Sequence, residues 1–135
     1  MADYICAMRS NYVNVKDKKA FAKFIKRFEC VPIYDDDGRI GFYCDSGGGH
    51  APYYYDEDRD ECLTLVDCAK ELGSHLVEGE VLTVEEVGNE KMSYLVGVAY
   101  AYNHKGETLF VNMSNELRAK VAGNWGNSDY TEAIY

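Results

Sequence analysis

The pattern of hydrophobic and polar residues changes period several times along the chain, and each period predicts one kind of element. A loose alternation of β-branched and aromatic residues predicts a first strand within 4–15. A stripe at i, i+3, i+4 and i+7 predicts a helix, and its members are Phe21, Phe24, Ile25 and Phe28. Asp17 lies where its side chain can cap that helix. The polar face of the same helix carries five basic residues: Lys18, Lys19, Lys23, Lys26 and Arg27.

The middle of the chain predicts a hairpin, a long loop and a second helix. Two apolar runs flank the Asp-Asp-Asp-Gly sequence at 35–38, and Asp-Gly between such runs favours a tight turn. Residues 45–60 combine three glycines, a proline and an acidic run, which is typical of an irregular surface loop. A loop of this length is the first place to look for a site. Apolar residues at helical spacing then predict a helix over 60–76, with Gly79 beyond its end.

The last third of the chain alternates strongly and predicts three further strands, at 81–87, 92–103 and 108–113. Ser114 can cap a short helix that runs to Val121 and ends at Gly123. We expect one domain over 1–123 and a polar, loosely held tail over 124–135. The order β-α-β-β-α-β-β-β-α predicts the α+β class, with a mostly antiparallel sheet, two main helices packed on one face and a short C-terminal helix.

Charge is the unusual feature of the composition. The chain has 135 residues, with 23 acidic and 14 basic side chains and a net charge of −9, which disfavours direct binding to nucleic acid. The charge is also uneven. Residues 1–29 contain seven basic side chains against three acidic ones, whereas residues 35–61 contain nine acidic side chains against two basic ones. Because clustered like charges destabilise a folded chain, this acidic region indicates either a solubilising surface or a binding face.

The binding interpretation is that carboxylates on a rigid scaffold imitate the phosphates of a duplex and occupy a basic groove on a nucleic-acid enzyme. Tyrosine among the acids favours this interpretation, because exposed tyrosine is a common interface anchor. We expect Tyr34 and Tyr43, in contrast, to be ordinary strand or core residues. The predicted contact residues are Asp35, Asp36, Asp37, Asp56, Asp58, Asp60 and Tyr54.

In size, charge and the mixture of acids with tyrosines over 34–61, the chain resembles the small inhibitors that phages and plasmids encode against host defence, the anti-CRISPR and anti-restriction proteins. The resemblance is one of general character and carries no functional residue over. It implies an inhibitor that blocks target-DNA loading, or otherwise disables a CRISPR or restriction effector, by direct binding. The basic first helix departs from a pure DNA mimic and leaves open a second contact surface.

Two other classes of protein remain open: a metal-binding protein or enzyme, and an interaction module. Cys44, His50, Cys62 and Cys68 are four soft ligands around the long loop and could hold zinc in a small metalloprotein or enzyme, although their spacing matches no common zinc motif. The run 56–60 resembles the start of a calcium loop, but Glu61 stands where such a loop needs glycine. The chain could also be an acidic interaction module without DNA mimicry. No motif pairs a nucleophile with a base, so we expect no enzyme and no cofactor.

No run approaches the ~18 apolar residues of a membrane-spanning helix, and we expect no membrane partner. The first residues lack the basic start and apolar stretch of a secretory signal, which predicts a cytoplasmic protein. In that compartment we expect the five cysteines to be small buried apolar residues rather than disulfide partners.

Overall fold

The computed structural model describes residues 4–45, 53–90 and 94–126. In chain order these residues form β1 (Tyr4–Ser10), α1 (Lys18–Lys26), β2 (Val31–Tyr34), β3 (Ile40–Asp45), β4 (Tyr53–Asp56), β5 (Glu61–Thr64), α2 (Ala69–His75), β6 (Val81–Glu90), β7 (Tyr94–Asn103), β8 (Thr108–Asn112) and α3 (Met113–Trp125). Six strands form an antiparallel sheet in the order β2-β3-β1-β6-β7-β8. Strands β4 and β5 form a separate antiparallel hairpin. The fold is therefore α+β with a mostly antiparallel sheet, as predicted.

Helix α1 begins and packs as the sequence predicts. The Asp17 carboxylate accepts hydrogen bonds from the backbone N–H groups of Lys19 and Ala20, so it satisfies two donors that the first turn leaves without helical partners. The predicted stripe is buried, and the Phe21 ring lies 6.4 Å from the ring of Phe42 on β3. This contact joins the helix to the sheet because the inner faces of both are apolar.

The long strands follow the predicted alternation. Strands β6 and β7 pair without interruption from Val81 with Asn103 to Glu90 with Tyr94. Inward positions of the sheet are buried, among them Met8, Ile40, Phe42, Leu82, Val84 and Tyr102. The hairpin turn at 35–38 is also confirmed, because β2 pairs with β3 and Gly38 has a φ of 81°. A period of two places alternate residues on opposite faces, so the core forms on one side.

The prediction for residues 45–76 was wrong in two places. The predicted loop contains β4, and the predicted helix begins with β5, so that α2 is only Ala69–His75. The apolar positions of 60–68 fit a helical period, but a short run also fits a strand, and here Leu63 lies opposite Tyr54 in the hairpin. Three successive tyrosines favour a strand as well.

The ends of two other elements differ from the prediction. The first strand stops at Ser10, and beyond it Val13 and Val15 make only isolated bridges to Ile40 and Leu76. Helix α3 is capped by Asn112 rather than by Ser114 and continues past Gly123 to Trp125. Most of the predicted tail, 127–135, lies outside the described residues.

Helix α2 is held very close to the turn between β7 and β8. A Cβ atom on Gly73 would lie 2.6 Å from the carbonyl oxygen of Asn103 and 2.8 Å from the backbone nitrogen of Gly106. Glycine is therefore required here by a backbone-to-backbone approach. In the part of the chain that the structure describes, the helices are all too short or too polar to cross a membrane.

Candidate partner-binding surface

The hairpin formed by β4 and β5 has an outer face and an inner face. Tyr53 pairs with Thr64, and Tyr55 pairs with Cys62, so these four side chains share the outer face. Tyr53 and Tyr55 are 39% and 53% exposed, and Cys62 is exposed as well. The hairpin therefore presents two aromatic rings to solvent in a fixed register.

The inner face attaches the hairpin to the end of α1. The ring of Tyr54 meets the ring of Phe28 edge-on with centroids 5.1 Å apart, and the Arg27 guanidinium carbon lies 5.8 Å from the centroid of Tyr54. Partial burial and the nearby Cys68 thiol raise the pKa of Tyr54. Leu63 beside it is buried. Tyr54, which the sequence predicts as a contact residue, is half-buried and acts as a support.

Arg27 links this support to α2. Its guanidinium forms an ion pair with the Glu71 carboxylate, with Nη2 and Oε2 2.8 Å apart. The hydrogen bond from Arg27 to Glu71 raises the pKa of the arginine. The same guanidinium also lies 5.3 Å from the centroid of the Phe24 ring. Arg27 is therefore engaged within the fold, so one positive charge fewer at this helix is available to a partner.

At the tip of the hairpin, some acids form the turn and others point outward. The Asp56 carboxylate accepts hydrogen bonds from the N–H groups of Asp58 and Arg59, at 3.0 and 3.3 Å. Asp60 adopts a φ of 51°, and its carboxylate accepts a hydrogen bond from the Tyr55 hydroxyl, which raises the pKa of that tyrosine. The side chains of Glu57 and Asp58 are exposed and make no ion pair with any described residue.

The second acidic turn, at 35–38, is partly neutralised. The Asp35 side chain is only 14% exposed, and its carboxylate lies 2.7 Å from Nε of Arg39. Partial burial opposes ionisation, but hydrogen bonds from the backbone and side chain of Arg39 lower the pKa of Asp35 overall. Asp37 is 3.7 Å from the same arginine and its side chain is 81% exposed. Asp36 is exposed too, so two of the three acids of this turn remain at the surface.

The two acidic turns lie near opposite ends of α1. A Cβ on Gly38 would lie 3.0 Å from Nζ of Lys18, at the start of the helix, whereas the hairpin contacts Phe28 beyond its end. The nine residues of α1 separate these points by about 13 Å. The seven predicted contact residues therefore form two groups rather than one continuous acidic surface.

The three described cysteine candidates for zinc, Cys44, Cys62 and Cys68, do not gather in one place. Cys44 is buried beside Cys30, where burial and the neighbouring thiol raise the pKa of Cys30. Cys68 is buried beside Tyr54, and Cys62 lies on the exposed face of the hairpin. His50 is outside the described residues. Within 4–45, 53–90 and 94–126 no group of three or more His, Cys, Asp or Glu side chains is arranged to hold a metal ion.

The sequence missed several surface features that the structure shows. Tyr34 and Tyr43 lie in strands β2 and β3, as expected, but they are 55% and 41% exposed and therefore not part of the core. The sequence did not indicate the outer face of the hairpin, with Tyr53 and Tyr55, because it did not predict that β4 pairs with β5. The cavity beside Met8, Leu65 and Tyr100 has a volume of only about 100 Å³, whereas an open groove of about 370 Å³ runs beside Tyr43 and Glu85.

Comparison of the chain with protein-family models, curated proteins and solved structures gives no significant match.

Proposed function

We propose that this chain is an acidic binding protein that inhibits a nucleic-acid-handling effector, of the CRISPR or restriction type, by covering its basic DNA-binding surface. The observation that carries the proposal is the hairpin of β4 and β5, which presents Tyr53 and Tyr55 beside the exposed carboxylates of Glu57 and Asp58. It acts by occupancy and needs no turnover.

Two properties of the hairpin favour binding. Its outer tyrosines have few rotatable bonds and offer large amphipathic rings, which is why tyrosine is enriched among residues that dominate binding energy. The attachment of Tyr54 to Phe28 and Arg27 holds the hairpin in place, so ordering it on binding costs little entropy. A preformed surface of this kind suits a binding role better than a solubilising one.

Charge determines which partner the surface fits. With a net charge of −9 and unpaired carboxylates at the tip, the chain is attracted to a positively charged surface and repelled by DNA itself. A groove that binds nucleic acid has the required positive charge. We therefore assign Glu57 and Asp58 as the primary charged contacts, with Asp36 as a secondary one.

We propose different roles for the members of the predicted contact set. Asp35, Asp56 and Asp60 accept hydrogen bonds that shape their turns, so they position the surface rather than meet the partner. Tyr54 supports the hairpin from inside. The contact set that we propose is Tyr53, Tyr55, Glu57 and Asp58, with Asp36 and Asp37 at the second turn.

The test uses the purified chain as bait in a lysate of its host, followed by measurement of Kd with the purified partner. We expect the bait to capture a nucleic-acid enzyme, and we expect duplex DNA to displace this enzyme from the bait. High salt should also release it, because exposed charges are screened over ~8 Å already at physiological ionic strength. Changing Glu57→Gln together with Asp58→Asn should raise Kd on the order of tenfold and flatten its salt dependence. Tyr53→Ala with Tyr55→Ala should raise Kd on the order of 100-fold.

The matched control removes the same number of negative charges elsewhere on the surface. Glu29→Gln with Glu78→Gln changes two exposed carboxylates outside both acidic turns and should leave Kd within about twofold. A partner whose binding ignores salt, duplex DNA and all hairpin substitutions would contradict the proposal.

A further inference from the structure

Helix α3 contacts β7 and β8, where Met113 lies against Gly97, but it buries no side chain fully. None of its residues is buried, although the chain forms 13 residues of helix here. Its apolar side chains form a stripe at every fourth position, Met113, Leu117, Val121 and Trp125. Met113, Leu117 and Trp125 are 56%, 57% and 79% exposed. An isolated helix of this length is marginal in water, so a stripe this exposed indicates a surface that is completed by another molecule.

The strand that precedes α3 is an open edge of the sheet. In the described residues the strand order ends at β8, so one side of β8 has no strand partner. Leu109, Phe110 and Val111 are 74%, 53% and 45% exposed, on both faces of the strand. Proteins usually protect such an edge with charges, proline or a bulge, and the five residues of β8 contain no charge and no proline.

We propose that β8 and α3 form the interface of a homodimer, in which the β8 strands of two copies pair antiparallel and extend the six-stranded sheet across a two-fold axis. The short apolar run is self-complementary in that arrangement. Pairing centred on Phe110 places Leu109 of one copy opposite Val111 of the other, so apolar side chains meet on each face.

Charge favours a second copy of this chain at this surface. Residues 108–126 contain one acidic side chain, Glu116, against Arg118 and Lys120, whereas the whole chain carries −9. Two copies can approach here without the like-charge repulsion that the acidic turns would cause. A partner with a strongly basic surface would instead fit the acidic turns.

The exposed apolar area suits a weak dimer. Six apolar side chains of β8 and α3 are 45% to 79% exposed, namely Leu109, Phe110, Val111, Met113, Leu117 and Trp125. Because the side chains of β8 point to both faces of the strand, edge pairing covers only part of this area, less than the ~800 Å² that each partner contributes to a standard interface. The apolar surface and the open strand edge are adjacent, because α3 begins where β8 ends. Both therefore contribute to one association.

The test is the mass of the purified full-length chain, measured by light scattering and sedimentation over a range of concentrations. We expect a dimer that dissociates on dilution. Leu109→Lys with Leu117→Lys should raise the dimer dissociation constant on the order of 100-fold, because each buries an unpaired charge in the dimer. The matched control, Val31→Lys with Val87→Lys, changes two exposed valines on other strands and should leave dissociation unchanged.

A second measurement needs no variant. Hydrogen exchange of the β8 amides in the unaltered chain should slow as concentration rises, while exchange in β2, the other edge strand, stays constant. A chain that remains monomeric at every concentration overturns the proposal. So does a dimer that survives the β8 and α3 substitutions, or one whose formation protects β2 and not β8.

Discussion

The support given by Tyr54 leads to a prediction about stability that separates the two faces of the hairpin. Replacing Tyr54 by alanine removes a half-buried ring, an edge-on contact with Phe28 at 5.1 Å and the contact with Arg27. Burial of about half a large ring contributes roughly 1 to 1.5 kcal/mol, and the aromatic and cationic contacts add about 1 to 1.5 kcal/mol. We therefore expect Tyr54→Ala to lower the free energy of unfolding by about 2 to 3 kcal/mol.

The assay is urea denaturation followed by circular dichroism, with two companion variants. Tyr54→Phe keeps the ring and loses only the hydroxyl beside Cys68, so it should cost less than about 1 kcal/mol. Tyr55→Ala removes a neighbouring ring from the outer face, where it is 53% exposed, and should also cost less than about 1 kcal/mol. If Tyr54→Ala and Tyr55→Ala have the same free energy of unfolding, the assignment of inner and outer faces is wrong.

Two further predictions concern α2. Gly73→Ala should lower the free energy of unfolding by at least about 2 kcal/mol, because the added Cβ would lie within 3 Å of the backbone of Asn103 and Gly106. Gly123→Ala, in contrast, has open space around its added Cβ and should be neutral or stabilising in the same denaturation assay. Burial against two phenylalanine rings lowers the pKa of His75 below 6.5, so the folded chain disfavours the imidazolium. The contribution of His75 to the free energy of unfolding should be complete above about pH 6.5 and should be lost as the pH decreases through the lower pKa of the folded state. His75→Gln should remove this loss. If the free energy of unfolding of the variant, measured in urea, depends on pH as it does in the unaltered chain, the assignment is wrong.

The elements that the sequence predicted correctly are those in which local and tertiary signals agree. The stripe of α1 and its Asp17 cap point to the same boundary, and both occur in the structure. The alternation of β6 and β7, which have ten residues each, is long enough to exclude a helix. In contrast, four residues of β5 fit either period, and the pairing with β4 that decides between them is a tertiary contact. The order of the strands in the sheet could not be predicted from the sequence either, because strand pairing is a tertiary contact.

The acidic cluster shows why a candidate site is harder to predict than an element. Aspartate is a preferred partner for a binding surface and also a preferred turn residue, since its carboxylate can accept backbone hydrogen bonds two or three residues on. Asp35 and Asp56 have the turn role, whereas Glu57 and Asp58 are exposed. A count of charges cannot distinguish the two roles, because the distinction depends on which N–H groups the fold leaves in reach.

The position of the acidic turn at 35–38 in the sheet relates the binding surface to the proposed dimer. The turn at 35–38 joins β2 and β3, whereas β8 is the opposite edge, four strands away from β3. With strands about 4.8 Å apart, pairing through β8 would place the two copies of β3 roughly 40 Å from each other. That separation is several times the ~8 Å screening length at physiological ionic strength, so the turns at 35–38 of the two copies would hardly repel. A chain with this much negative charge can therefore associate with itself through β8 and still present the turn at 35–38 of each copy to a basic partner.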